Sequence, residues 1–478
     1  MSEKSDMPGK EARRAAAYTL GCKVNLCDTE SILEMFRARG FEIVDFEAFA
    51  HIYIINTCTV TGLSDKKSRQ LLRRARAKNP DAVIVACGCY AQVSPGEIAA
   101  IPEVDLIFGT KNRLEMLEML EELGKPGKAQ RSAVAPLENS DVFEELPAAS
   151  DDDCLRSARP IKRTRAFLKI QDGCENYCSY CVIPYARGKV KSRAEGSALA
   201  AARGFAARGY KEIVLTGIHL ASYGKDIAQS NGANNAPLLN LIYKIHDIGG
   251  IRHIRLGSLE PAAADAAFIG ALRGLPKVCP HFHLSLQSGC DRTLKRMNRR
   301  YTAADYAAAA RVIRTFYPDA AVTTDIITGF PGETEQDFLE TCRFIREIGL
   351  ARIHVFPFSP RKGTPAALFP DQVPAGIKRE RAARLIAIGA ELERAFLLKH
   401  DGKRLNVLFE ELNDGFFEGY TDNYIRVRLP EGGCGNNIIN EIVEVTAVQA
   451  GEGFMLVKYI INGNSGGQQE VAGNERCF

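Results

Sequence analysis

Phe167-Leu168-Lys169-Ile170-Gln171-Asp172-Gly173-Cys174-Glu175-Asn176-Tyr177-Cys178-Ser179-Tyr180-Cys181 is a short strand pattern that runs straight into three cysteines spaced C-x3-C-x2-C. Three thiolates on one loop can hold three irons of a cubane cluster and leave the fourth iron without a protein ligand. An open iron suits a reaction centre, because a bidentate small molecule can chelate it through amino and carboxylate groups. The competing readings are a zinc site and a set of buried thiols. Zinc wants a fourth Cys or His close by, and none follows within the loop. The position of the triplet directly behind the first strand of a long α/β series favours ligation.

Working outward from this strand, β-like runs recur at 167–171, 213–216, 254–258, 282–287, 322–328 and 353–357, separated by helical stretches that include 303–315 and 335–348. Six strands with crossover helices over 161–400 predict a partial or complete α/β barrel, a (β/α)6 core whose chemistry sits at the carboxyl ends of the strands. Residues 1–130 show a shorter rhythm, with strands at 18–20, 52–56, 83–86 and 106–108 and helices at 31–39 and 65–78. That rhythm predicts a small doubly wound parallel sheet. Residues 131–160, with Pro136, Pro147, Pro160 and the run Asp151-Asp152-Asp153, read as a linker. Five short β-like runs at 405–410, 415–421, 425–429, 442–447 and 454–461 predict a small all-β barrel over 401–462. The Gly-, Asn- and Gln-rich stretch 463–478 reads as a loose tail. The fold class is therefore multidomain α/β.

Three more cysteines share one placement. Cys22 in Thr19-Leu20-Gly21-Cys22-Lys23-Val24-Asn25, Cys58 in Asn56-Thr57-Cys58-Thr59-Val60-Thr61 and Cys89 in Cys87-Gly88-Cys89-Tyr90-Ala91-Gln92 each lie just past a predicted strand. The carboxyl ends of parallel strands gather at one sheet edge, so residues far apart in the chain reach one crevice. Cysteine is also a common small buried hydrophobe, but three at matching strand ends fit a second three-thiolate cluster.

The triplet, with Tyr180 before its last cysteine, resembles the signature of the radical S-adenosylmethionine superfamily. With the N-terminal motifs and the C-terminal barrel, the resemblance extends over nearly the whole chain to the methylthiotransferase family. Thr19 to Asn25, Asn56 to Thr61 and Gly217-Ile218-His219-Leu220-Ala221-Ser222-Tyr223-Gly224 are closest to the branch acting on N6-threonylcarbamoyladenosine beside the tRNA anticodon. The resemblance implies two [4Fe-4S] clusters, one on Cys174, Cys178 and Cys181 and one on Cys22, Cys58 and Cys89, with Cys87 an extra thiol beside the second set. It implies that one S-adenosylmethionine methylates a cluster-borne sulfur, and that a second is cleaved to methionine and a carbon radical that activates carbon 2 of the adenine. It also implies cofactor contacts at Tyr180 and at the strand-end positions Thr216, Gly217, Arg255, Ser258, Glu260, Gln287 and Asp325. The C-terminal barrel resembles the TRAM module, which binds RNA.

The chain has 478 residues, 46% hydrophobic and 25% charged, with a net charge of +4, an ordinary balance for a globular protein. Its 14 cysteines are the departure, and without an apolar export segment in the first 20 residues they point to metal ligation in a reducing cytoplasm. No uncharged apolar run reaches the length of about 18 residues that a membrane helix needs. Cysteines 27, 154, 279, 290, 342, 434 and 477 have no partner at ligand spacing and read as structural. Basic residues cluster at Lys66, Lys67, Arg73 and Arg74, at Arg187 and Lys189, and around Arg296 and Arg299, as contacts for tRNA phosphates would require. The C-terminal barrel departs from this pattern, with ten acidic and five basic side chains over 401–462, leaving Arg426 and Arg428 as its local basic edge. A one-electron donor such as a flavodoxin or ferredoxin and a source of sulfur complete the expected partners. Three alternatives stay open: methylthiolation of a ribosomal-protein aspartate, methylthiolation of a prenylated adenosine, and a non-catalytic iron–sulfur protein that binds RNA or carries electrons.

Overall fold

The carboxyl ends of two neighbouring strands, Arg14–Thr19 (β1) and Ile52–Thr57 (β3), define the crevice of the N-terminal sheet. Glu42–Ile43 (β2), Val83–Gly88 (β4), Leu106–Phe108 (β5) and Arg131–Ala133 (β6) complete it in the order β2-β1-β3-β4-β5-β6, every pair parallel. The chain leaves β1 in one direction and β3 in the other, so the switch point lies between them, where doubly wound sheets bind ligands. Every residue of β3 and β4 is buried, because helices cover both faces. Tyr53, Ile55, Ile84 and Leu72 form the core on one face, and Ile32, Phe36, Ile54 and Val85 the core on the other. The computed structural model describes residues 13–123, 130–137, 142–145, 163–227, 235–433 and 437–460.

In the N-terminal sheet two strands escape the sequence reading. β2 is only two residues long, and β6 pairs with β5, which places 131–133 in the sheet rather than in a linker. Most of the expected linker and all of the expected tail lie outside the described residues. The first helix, Lys23–Ala38 (α1), begins eight residues earlier than the expected 31, because Val24, Cys27 and Asp28 turn inward directly after Cys22. The second, Gly62–Lys78 (α2), starts where the Thr61 hydroxyl accepts from the Ser64 amide at 3.2 Å. The short helix Cys89–Val93 (α3) follows β4.

The central region runs Arg165–Lys169 (β7), Gln171–Asp172 (β8), Lys191–Ser192 (β9), Glu212–Thr216 (β10), His253–Leu256 (β11), His281–His283 (β12), Ala321–Thr328 (β13) and Arg352–Pro357 (β14). Strands β11-β10-β7 and β12-β13-β14 form two parallel three-stranded sheets, linked by the parallel bridge Leu259↔Leu284. The expected six-stranded core is thus an open barrel, with β7 and β14 at its two ends. Side chains alternate across it: Leu168, Ile213, Ile254, Phe282 and Val322 pack on the outer helices, while Lys169, Thr216, His283 and Asp325 take the opposite face and line the lumen. The outer helices Ala303–Phe316 and Glu335–Ile348 start at capping boxes, Thr302 with Asp305 and Thr334 with Asp337, which is why their starts are legible in the sequence.

A second compact unit begins at Leu397. Arg404–Asn413 (β15), Phe416–Thr421 (β16), Arg426–Pro430 (β17), Ile442–Ala450 (β18) and Met455–Tyr459 (β19) close into a barrel in the order β15-β16-β17-β19-β18. Val407, Phe409, Val427, Leu429 and Val445 fill its interior. Among the described residues, no helix is long and apolar enough to cross a membrane.

Candidate active site between two cysteine trios

Cys22, Cys58 and Cys89 follow β1, β3 and β4 at their carboxyl ends, Cys22 as the residue before α1 and Cys89 as the first residue of α3. Two asparagines lock these loops together. The Asn25 amide donates to the Leu20 carbonyl at 2.8 Å and to the Thr57 carbonyl at 3.1 Å, and the Asn56 amide donates to the Asn25 carbonyl at 2.8 Å. Gly21 adopts φ +97°, and a Cβ there would lie 2.8 Å from Cys58 Sγ, so the Cys22 and Cys58 loops meet only because position 21 is glycine. Cys89 Sγ lies 3.7 Å from Asn25 Oδ1.

The other trio is shaped by Gln171 and Gly173. The Gln171 side chain donates to the carbonyls of Asp172 and Gly173, both at 2.7 Å, and accepts from the His219 amide at 2.7 Å. Gly173 adopts φ +74°, and a Cβ there would fall 1.8 Å from the Lys189 carbonyl. The loop therefore lies against 188–189, where the Cys174 backbone amide donates to the Gly188 carbonyl at 3.0 Å. Arg299 crosses from the far side, its guanidinium 3.2 Å from Cys178 Sγ and 3.3 Å from the Glu260 carboxylate. Tyr180 packs edge-on against Phe330.

The two trios are coupled by a buried ion network centred on Arg187. Its guanidinium donates to both Asp172 oxygens at 2.9 Å, to Asp28 at 3.0 Å and to Asn25 Oδ1 at 2.5 Å, so one side chain touches the triplet strand and the Cys22 helix together. Lys169 joins Asp28 and Asp172 at 2.7 and 2.6 Å, and Arg113 reaches Asp28 at 3.0 Å. Arg187 is 1% exposed. Its expected role as a phosphate contact is therefore corrected: both terminal nitrogens of its guanidinium are taken by buried carboxylates. On the other flank, Arg361 after β14 pairs with Asp65 and donates to Thr59 at 2.8 Å, beside Cys58. The N-terminal sheet edge is thus pinned to both ends of the open barrel.

Burial raises the thiols of Cys89 and Cys174 to about 11 and that of Cys181 to about 12, and it also raises Cys58; the Arg187 charge partly offsets this at Cys89. Anionic sulfur is thus disfavoured in both sites until a metal supplies positive charge. Among the described residues, neither trio brings its three sulfurs within 4.8 Å of one another. That spread exceeds what one tetrahedral zinc with bonds of about 2.3 Å gathers. The donor sets fit a larger cluster.

Two family models match the chain: the Uncharacterized protein family UPF0004 over residues 14–109 and the Radical SAM superfamily over 168–345. A threonylcarbamoyladenosine tRNA methylthiotransferase (MtaB) of Bacillus subtilis is 41% identical, covering 91% of this chain and 94% of its own, and one of Aquifex aeolicus is 39% identical, covering 86% and 96%. The chain belongs to the radical SAM methylthiotransferase family. A tRNA-2-methylthio-N(6)-dimethylallyladenosine synthase of a Thermoanaerobacter species is also similar, at 35% identity over 83% of this chain and 82% of its own. The fold is shared with the radical S-adenosylmethionine methyltransferase TsrM from Kitasatospora setae, at TM-score 0.53 and 16% identity over 75% of each chain.

The methylthiotransferase distributes the remaining expected residues unevenly. Glu260 stands beside the triplet, accepting from Asn176 at 2.8 Å and facing His219 at 3.1 Å. Ser258 is exposed at the same strand end, and Gln287 holds a left-handed φ of +72°, a costly conformation for a non-glycine residue that is common at ligand sites. Asp325 faces His283 at 3.4 Å. Two expected cofactor contacts are corrected. Arg255 is fully buried and bidentate to Glu212 at 2.7 and 3.0 Å, and Thr216 is buried with its hydroxyl turned to the Val214 carbonyl; Gly217 stays half-buried at the strand end, where a Cβ would lie 2.8 Å from the Gln171 side chain.

On the enzyme's surface, Lys66, Lys67, Arg73 and Arg74 are exposed along α2, with Arg74 tied to Glu47 at 2.6 Å, and Lys189 is exposed beside the triplet. Arg299 is withdrawn from the expected basic surface by its contact with Cys178. Arg426 and Arg428 both pair with Glu418, the latter at 2.8 Å, so a single carboxylate offsets half of that edge. Sequence reasoning missed Asn25, Asp28, Arg113 and Lys169, whose partners lie far away in the chain. It also missed Tyr177 and Tyr185, which flank the triplet half exposed with ring centroids 6.2 Å apart; the first stands directly before Cys178 and the second four residues past Cys181.

Proposed function

We propose that this chain transfers a methylthio group to carbon 2 of N6-threonylcarbamoyladenosine next to the tRNA anticodon. The observation that carries the reading is the Arg187 network, which holds a three-cysteine edge of the N-terminal sheet against the three-cysteine loop of the barrel. Cys174, Cys178 and Cys181 hold one [4Fe-4S] cluster and Cys22, Cys58 and Cys89 a second. Bound there with S-adenosylmethionine, these groups supply one-electron chemistry and a sulfur-borne methyl, which an unactivated aromatic C–H requires.

The residues of the chain do the positioning. Glu260, held by Asn176, His219 and Arg299, accepts the ammonium of S-adenosylmethionine, and Ser258 and Gln287 contact its remaining polar groups. Lys66, Lys67 and Arg73 on α2, with Lys189 beside the triplet, take tRNA phosphates, and Tyr177 and Tyr185 offer rings for stacking a base turned out of the anticodon loop. The lumen below carries the polar side chains His283, Asp325 and His354, which suit a carboxylate-bearing threonylcarbamoyl group better than an apolar prenyl group. A flavodoxin or ferredoxin as electron donor, a sulfur source and a cytoplasmic setting complete the reading.

The test is mass spectrometry of tRNA nucleosides from a strain lacking this chain, with and without a plasmid copy. Loss of 2-methylthio-threonylcarbamoyladenosine and its return on complementation support the reading. Intact 2-methylthio-threonylcarbamoyladenosine with loss of a methylthiolated prenyl nucleoside transfers the assignment to the second substrate class.

A further inference from the structure

Three lumen side chains outside both cysteine trios converge on one point. His283 on β12, Asp325 on β13 and His354 on β14 bring their donor atoms within 4.8 Å of one another. His283 Nε2 lies 3.4 Å from Asp325 Oδ2, and the two imidazole rings stand 6.1 Å apart at 35°. Asp325 and His354 are register partners on adjacent parallel strands, so neighbouring pleats aim them the same way. The Thr323 hydroxyl holds His283 Nδ1 at 3.0 Å, which fixes the ring and leaves Nε2 as the atom turned toward Asp325. Among the described residues, no Lys or Arg forms an ion pair with Asp325. A second cluster, Glu212 with His253 and Cys279, differs in both respects: it is sealed from solvent and Arg255 already neutralises its carboxylate.

We propose that His283, Asp325 and His354 form a divalent-cation site in the barrel lumen, and that its open positions take the threonyl carboxylate of the substrate. Two imidazoles and one carboxylate are a donor set for a first-row divalent ion, and three protein ligands leave coordination positions free. Those positions open toward the lumen, because His283 and Asp325 stand on the strand face opposite the one that Phe282 and Val322 pack against the outer helices. A carboxylate is a hard oxygen donor that such an ion accepts, whereas a prenyl chain has nothing to offer it. The substrate part of this inference rests on the threonylcarbamoyladenosine reading.

The experiment uses the full-length, cluster-loaded protein with its clusters oxidised and silent in electron paramagnetic resonance, titrated with manganese(II), an ion that prefers oxygen and imidazole to thiolate. Wild type should take up about one manganese per chain, and His354→Ala and Asp325→Asn should each weaken uptake by about tenfold or more at unchanged iron content. Adding tRNA that carries threonylcarbamoyladenosine should alter the bound-manganese spectrum, and tRNA that carries prenylated adenosine should leave it as it was. Equal manganese affinity in wild type and both variants overturns the site. A spectrum indifferent to threonylcarbamoyl-tRNA overturns the substrate contact. The titration without tRNA scores the site even where nucleoside analysis assigns a different product.

Discussion

Arg187 shows how much one side chain decides here. It answers two buried carboxylates and the Asn25 amide oxygen at once, so Arg187→Met leaves Asp28 and Asp172 short of a partner. Breaking a buried pair by removing one member costs about 3–5 kcal/mol, and urea unfolding of the variant should show a loss of that order together with poorer iron retention. The cysteines carry a pH signature of their own. In the folded chain the thiols of Cys89, Cys174 and Cys181 are raised from 9.0 to about 11, 11 and 12, chiefly by burial. A raised acid is stabilising while protonated, so this contribution is complete below pH 9 and is lost as pH climbs through the folded values. Iron-free protein should therefore lose urea resistance from about pH 9 upward, a slope that the cluster-loaded protein should lack because its sulfurs are already ligated.

Among the elements, α2 and the first loop of each half matter most. α2 turns Leu71, Leu72 and Ala75 into the core and leaves Lys66, Lys67 and Arg73 outside. Each phosphate contact adds about 0.7–0.9 to the slope of log affinity against log salt, so Lys66→Ala, Lys67→Ala, Arg73→Ala combined should lower the slope for tRNA by about 2 and weaken binding at low salt. Filter binding at several salt concentrations reads both. Elements with a strong local signal stand where the sequence places them: the helices opened by Thr302 and Thr334 carry complete capping boxes, and the barrel strands alternate cleanly. Elements without one were misplaced. β2 has two residues, α1 starts at an uncapped Cys22, and β6 exists only because β5 offers it a partner.

For the whole molecule, the pinning of the N-terminal sheet by Arg187 at the β7 end and Arg361 at the β14 end makes the first unit one catalytic body. The C-terminal barrel has its own closed sheet and core, so truncation after residue 400 should leave iron content and S-adenosylmethionine cleavage near wild type while tRNA affinity falls by less than for the α2 variant. Iron assay, 5′-deoxyadenosine release and filter binding separate these outcomes. The sequence by itself determined the α/β series, the closing β-barrel and the two sets of three cysteines, because strand period, capping and ligand spacing are local properties written within a few residues. Only the tertiary structure decided which charges face water. In the chain Arg187 reads as a phosphate contact and Arg255 as a cofactor contact, yet each is buried against carboxylates, Arg187 against Asp28 of another element 159 positions away and Arg255 against Glu212 of the neighbouring strand. The charge of a side chain is local, but whether it is free to meet a phosphate or a cofactor depends on partners that only the folded chain brings to it.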